Sequence, residues 1–192
     1  MSSIPKLPRV TQMCFEGSIP SDLNYFSIIF NAVPNFFDLD LPLSHLLKLI
    51  EEPQLCSILD RQITSLNVER NQLNSLDEKL NEQHVPMIAS ALSRVRGLYF
   101  NIMHLSSSKS EILTKEDGFE GQVISPLSSE SMLRCILTTF KEHKLIALCV
   151  DGNFIENLRN DTERWLQRNT NLGERQFQTA YHSEFNRLLI WM

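Results

Sequence analysis

Val10-x-x-Met13-x-Phe15-x-x-Ser18 is the first of five stretches that share one nine-position pattern, apolar-x-x-apolar-x-apolar-x-x-small or polar. Apolar residues at the fourth and sixth positions alternate with other residues, which predicts a strand with one buried face. Recurrence of the pattern predicts an array of structural repeats. The other four copies are Phe36-x-x-Leu39-x-Leu41-x-x-Ser44, Ile63-x-x-Leu66-x-Val68-x-x-Asn71, Val95-x-x-Leu98-x-Phe100-x-x-Met103 and Leu145-x-x-Leu148-x-Val150-x-x-Asn153.

Segments with helical periodicity separate these predicted strands. They include residues 23–30, 44–59, 132–143 and 157–168, and Pro53 is expected to bend or break the second of them. Strands that alternate with helices predict an α/β fold, in which a parallel sheet carries helices on its outer face. The last residues, from Phe177 to Met192, alternate around a polar turn and predict a hairpin that covers the open end of the sheet.

The whole chain of 192 residues is predicted to be a single domain, residues 1–192. The repeats start near residues 10, 36, 63, 95 and 145, so the intervals are 26, 27, 32 and 50 residues. The longest interval contains a serine-rich and charged stretch, residues 104–130, which we predict to be a mobile insertion. Residues 157–192 are predicted to cap the C-terminal end.

Composition and charge narrow the classes of partner. The net charge of -5 argues against nucleic acid and against an anionic membrane surface. We expect no membrane partner, because no apolar run approaches the roughly 18–20 residues that span a bilayer. The four cysteines are far apart in the sequence and are expected to be reduced, in a cytoplasmic or nuclear protein; they are Cys14, Cys56, Cys135 and Cys149.

The five units between residues 10 and 155 resemble the leucine-rich repeat superfamily. Asn71 and Asn153 stand where that family has an asparagine that hydrogen-bonds turn backbone, whereas Met103 departs from the pattern. The tail from Glu163 to Leu172, followed by Phe177 and the residues 188–191, is similar to the end of F-box proteins with irregular leucine-rich repeats. The resemblance implies only the substrate-binding half of such a protein, because the nine residues before Val10 leave no room for an F-box.

In such an array the first, fourth and sixth positions of each unit point inward, and the third, fifth and seventh point to a concave open face. The outward positions include five acidic residues and no basic one. We predict that this face binds a protein or peptide, with Tyr99 as a central aromatic anchor. Because the face is acidic, a basic partner would complement its charge. The predicted binding residues are Glu16, Asp38, Asp40, Ser65, Asn67, Glu69, Tyr99, Asn101 and Asp151.

Catalytic and metal-binding patterns are missing from the sequence. Asp38 and Asp40 are two residues apart on one strand face, but no histidine or third carboxylate joins them at a metal-ligand spacing. Nucleophile elbows, phosphate-binding loops and dinucleotide-binding glycine patterns are also lacking. We therefore expect no enzyme activity, no cofactor and no metal.

These features predict a non-enzymatic protein-binding module, and the resemblance implies the substrate-recognition part of an F-box-like ubiquitin-ligase adaptor. The alternative is a structural scaffold or assembly subunit. Residues from Val10 to Glu16 would form an edge strand with nothing over it, which a further upstream domain or a second copy of the chain could cover. Both alternatives remain open from the sequence alone.

Overall fold

The computed structural model of the chain describes residues 5–15, 22–69, 79–103, 105, 128–174 and 176–192. Within these ranges seven strands form one sheet. They are β1 (Gln12–Cys14), β2 (Asp38–Pro42), β3 (Ser65–Glu69), β4 (Gly97–Asn101), β5 (Ala147–Asp151), β6 (Gln178–His182) and β7 (Arg187–Trp191). Strands β1 to β5 are parallel and neighbour each other in chain order. The C-terminal hairpin adds β7 antiparallel to β5, and then β6.

Helices connect the strands, so the predicted α/β class is confirmed. They are α1 (Asn24–Ala32), α2 (Leu43–Glu51), α3 (Pro53–Gln62), α4 (His84–Ala91), α5 (Ser129–Thr139), α6 (Glu156–Asn160) and α7 (Thr162–Asn169), with 3-10 turns at Phe140–His143 and Asn171–Glu174. The predicted break at Pro53 is confirmed, since α2 ends before it and Pro53 opens α3. Proline suits that first position because its missing N–H would have no partner there.

Two predicted boundaries differ in the structure. The predicted insertion extended to Glu130, yet α5 begins at Ser129, and both residues are buried. Residues 104 and 106–127 of that insertion lie outside the described residues. The helix predicted over residues 157–168 is divided into α6 and α7. The division is at Asp161, whose carboxylate accepts the backbone N–H of Arg164 at 3.1 Å and so caps α7.

The core lies between the sheet and the helices, and the strand pattern supplies it as predicted. Thirteen of the fifteen side chains at the first, fourth and sixth positions are buried. The other two, Val10 and Phe15, belong to the first repeat and are partly buried against the same core. Phe15 contacts the rings of Phe26 and Phe30, with centroids 5.1 and 6.1 Å away. The weaker burial follows from the position of β1 at the edge of the sheet.

One backbone hydrogen-bond arrangement recurs at all four junctions between successive repeats. The carbonyl of the second residue in one repeat accepts the N–H groups of the second and third residues in the next. The acceptors are Thr11, Phe37, Thr64 and Arg96, and the donor pairs are Phe37 and Asp38, Thr64 and Ser65, Arg96 and Gly97, and Ile146 and Ala147, at 2.7–3.2 Å. The repeats are therefore equivalent in backbone geometry as well as in sequence spacing.

Two polar side chains, one partly and one fully buried, hydrogen-bond the backbone around the turn that follows β5. Asn153 donates its side-chain N–H groups to the carbonyls of Met103 (2.9 Å) and Leu105 (3.3 Å) in the preceding repeat. The carboxylate of Glu130 is 3% exposed and accepts the N–H of Ile155 at 2.7 Å. Each bond satisfies a backbone group that folding removes from water. The last two parallel repeats are thus joined beyond the ends of their strands.

Candidate protein-binding face

The alternation of the strands creates an open face, which we define as the side of the sheet turned away from the helices. The parallel register aligns the outward positions of successive repeats into rows that cross the sheet. The first row contains Gln12, Asp38, Ser65, Gly97, Ala147 and Trp191, and the second contains Cys14, Asp40, Asn67, Tyr99, Cys149 and Leu189. Rows of this kind bring residues distant in sequence onto one surface.

A hollow of about 420 Å³ lies on the open face along these two rows. Its floor is low because the central first-row residues are small: Ser65, Gly97 and Ala147. A Cβ atom added to Gly97 would have its nearest neighbour at 3.7 Å, the Ser65 hydroxyl oxygen, so packing does not require glycine there. Asp38 lines the hollow towards one end of the row and Trp191 at the other.

A hydrogen-bonded ion pair closes one side of the hollow. The guanidinium of Arg187 donates from Nε to Asp151 Oδ1 at 2.7 Å and from Nη2 to Asp151 Oδ2 at 2.8 Å. The Tyr99 hydroxyl donates to Asp151 Oδ2 at 2.6 Å. The guanidinium carbon also lies 5.4 Å from the centre of the Tyr99 ring. This bidentate geometry is the strongest form of a guanidinium–carboxylate pair.

The surroundings of the ion pair keep Tyr99 and Arg187 protonated. Burial, together with the hydrogen bond to Asp151, raises the pKa of Tyr99 well above its ordinary value, so its hydroxyl remains a donor. The hydrogen bonds to Asp151 raise the pKa of Arg187. Asp151 is only 7% exposed, and both its oxygens accept hydrogen bonds from Arg187 and Tyr99. Its negative charge is therefore compensated within the protein and is not offered to a ligand.

The structure places most of the predicted binding residues on the open face. Asp38, Asp40, Ser65, Asn67, Tyr99 and Asn101 are partly exposed there. The hollow brings together Asp38, Ser65, Asn67 and Tyr99. Asn101 accepts the N–H of Met103 at 3.1 Å and so serves the following turn. Glu16 and the side chain of Glu69 lie outside the part of the chain that the structure describes.

The sequence interpretation missed three residues of the open face, all on β7. Arg187, Leu189 and Trp191 line the hollow, although the sequence assigned them only to a cap. Arg187 gives the face a cation that the predicted acidic strip lacked, and it removes Asp151 from the charges available to a ligand. Antiparallel pairing of the hairpin with the last repeat, applied residue by residue, would have placed Arg187 opposite Asp151.

The thiol of Cys149, on the open face, is poorly suited to nucleophilic chemistry. Burial raises the pKa of Cys149 to about 11, so the thiol is protonated near neutral pH. All four cysteines are free. Among the described residues, no three His, Cys, Asp or Glu side chains gather in a way that could hold a metal ion. The open face therefore offers a ligand a depression, the carboxylate of Asp38 towards one end and the apolar side chain of Trp191 at the other.

Comparison with known proteins yields no match to a family model, to a curated protein or to a solved structure. Within the residues that the structure describes, no helix is both long and apolar enough to cross a bilayer.

Proposed function

We propose that the chain is an irregular leucine-rich-repeat module without enzyme activity, which binds a protein or peptide on its open face. The observation that carries this proposal is the hollow of about 420 Å³, which extends across neighbouring strands on a sheet face that no helix of the described residues covers. An elongated depression of this kind fits an extended chain better than it fits a compact small molecule, which proteins usually enclose on most sides.

Three features support a repeat array. The outward positions line up in rows, the same carbonyl accepts two N–H groups at each junction, and Asn153 hydrogen-bonds the backbone of the preceding turn. The last feature is the role that the leucine-rich-repeat resemblance implies for this asparagine. Asn71, the other matching asparagine, lies outside the described residues.

Blocking the hollow tests the binding proposal. Gly97→Trp places a large side chain on the floor, and the room around its Cβ lets the sheet accept it. Proteins captured from cell extract by the unmodified chain should be lost with Gly97→Trp. They should be retained with Ser90→Trp, a matched change at an exposed site on α4. Equal capture by both variants would show that the open face does not bind.

The finer assignment is a ubiquitin-ligase adaptor. We propose that the chain is the substrate-recognition part of an F-box-like adaptor in the cytoplasm or nucleus. The tail that resembles F-box proteins supports this, and four free cysteines suit a reducing compartment. Affinity purification of the protein from cells should recover a cullin. Recovery of other partners without a cullin would reject the adaptor role and leave the binding module standing.

A second candidate function is assembly through β1. This three-residue strand lies at one end of the sheet, and the side chains of Gln12 and Cys14 are exposed. An open strand edge can pair with a second copy. Sedimentation over a range of protein concentrations tests this candidate. A concentration-dependent dimer should disappear when Gln12 and Cys14 are both changed to lysine, whereas a monomer at every concentration would reject it.

A further inference from the structure

We infer that the hollow takes an extended peptide segment that crosses the strands, with a lysine or arginine near Asp38 and an aromatic or large aliphatic residue against Trp191. This inference rests on the proposed function and specifies its ligand. The two ends of the hollow differ in chemistry, so they define both the composition and the direction of the ligand.

The acidic end of the hollow is electrostatically unbalanced. Among the described residues, the carboxylate of Asp38 has no ion-pair or hydrogen-bond partner. Asp151, in contrast, is neutralised by Arg187. The chain as a whole carries a net charge of -5, so its field attracts cations toward an open carboxylate. A basic side chain is the ligand group that complements this end.

The opposite end is apolar. Trp191 is 43% exposed although it belongs to a paired strand, and Leu189 lies beside it on the same face of β7. Arg187 does not oppose a cationic ligand strongly, because Asp151 compensates its charge. Exposed aromatic residues with aliphatic neighbours are typical anchors for apolar side chains of a partner.

The register fixes the separation of the two contacts. Asp38, Ser65, Gly97, Ala147 and Trp191 occupy one row on five adjacent strands. Four strand spacings of about 4.8 Å give roughly 19 Å between the ends, and an extended peptide covers that distance in about six residues at roughly 3.3 Å each. The ligand should therefore carry its basic and apolar residues about six positions apart.

The middle of the row is suited to a peptide backbone. Small side chains at Ser65, Gly97 and Ala147 leave the floor low between the two ends. A main chain can approach the sheet there while its side chains reach Asp38 and Trp191. The hydroxyl of Ser65 lies along the hollow, where it can hydrogen-bond a peptide group.

Peptide selection tests this inference. Random peptides about twelve residues long, roughly twice the six-residue span, are displayed and selected on the immobilised full chain. The selected peptides should carry lysine or arginine at about six positions from tryptophan, phenylalanine or leucine. With a labelled selected peptide, Asp38→Asn should weaken binding about fivefold and Trp191→Thr about tenfold. The loss caused by Asp38→Lys should shrink as salt is added.

Controls separate this inference from the proposed function. Glu51→Lys makes the same charge change as Asp38→Lys at an exposed site on α2, and it should change the affinity little. Selected peptides that lose binding to Gly97→Trp but lack the basic residue or the six-residue spacing would overturn the inference alone. Failure to select any peptide, or equal binding to Gly97→Trp, would overturn both the inference and the proposed function.

Discussion

Arg187→Met should destabilise the protein by about 2–3 kcal/mol. The methionine keeps the aliphatic stem but removes two charge-assisted hydrogen bonds from Asp151, whose side chain is 10% exposed. Removing one member of a fully buried ion pair costs about 3–5 kcal/mol. The Arg187 side chain is 37% exposed, so solvent already screens part of that interaction, and the expected loss is smaller.

Urea unfolding measures this loss directly. With a slope of about 2 kcal/mol per molar, the midpoint should fall by roughly 1 M while the slope stays unchanged. A double-mutant cycle with Asp151→Asn isolates the pair from other effects of each change. Asp151→Asn alone should cost about 1–2 kcal/mol, because the exposed guanidinium can turn to water, and the coupling energy should exceed about 1 kcal/mol.

Two outcomes would refute this account of the ion pair. One is additivity of the two changes within about 0.5 kcal/mol, the limit expected for independent sites. The other is a loss for Arg187→Met no larger than that for Arg164→Met, a control at an exposed position of α7. Either result would mean that β7 is held to the sheet by its backbone and apolar contacts alone.

Four further predictions concern single residues. Glu130→Ala should lower the free energy of unfolding by about 1–3 kcal/mol and Glu130→Gln by clearly less, because glutamine keeps the acceptor oxygen; equal urea midpoints would contradict this. Asn153→Asp should lower the melting temperature more than Asn153→Ala, since a carboxylate would face two carbonyls. Lys144→Gly should raise the free energy of unfolding by about 0.5–1 kcal/mol in urea, because Lys144 has a φ of 52°. Burial holds the pKa of Cys149 at about 11 against an ordinary 9.0, so its contribution to stability is full below pH 9 and is lost as the pH rises to 11. Cys149→Ala should flatten the decline in unfolding free energy across that window, and an unchanged decline would exclude this thiol as a cause.

The strands could be predicted from the sequence because their pattern is local. Each unit has two apolar residues separated by one position and a third apolar residue three positions before them. This pattern predicts a strand with one face towards the core, and the structure has such a strand in all five units. Pro53 and the alternating tail are equally local signals, and both the helix break and the hairpin follow from them. The division at Asp161 was also readable, since an aspartate before a threonine and a glutamate is a typical helix N-cap.

The open face could be predicted only in part, because its chemistry depends on pairing across the sheet. The outward positions of the repeats follow from alternation within each strand. The neutralisation of Asp151 instead requires the antiparallel register that places Arg187 beside it, 36 residues later in the chain. The apolar end has the same origin, because Trp191 reaches the first row only through the pairing of β7 with β5. Composition and periodicity do not show which residues of two distant strands lie opposite each other.

The antiparallel strand β7 limits where further repeats could be added to the sheet. Its pairing occupies the edge of β5 where a sixth parallel repeat would otherwise attach. Duplication of a repeat unit could therefore lengthen the array between existing repeats or beside β1, but not after β5 without displacing the hairpin. In protein engineering, a repeat inserted before the last one would preserve the pairing of β7 with β5. It would widen the open face by one strand spacing, about 4.8 Å.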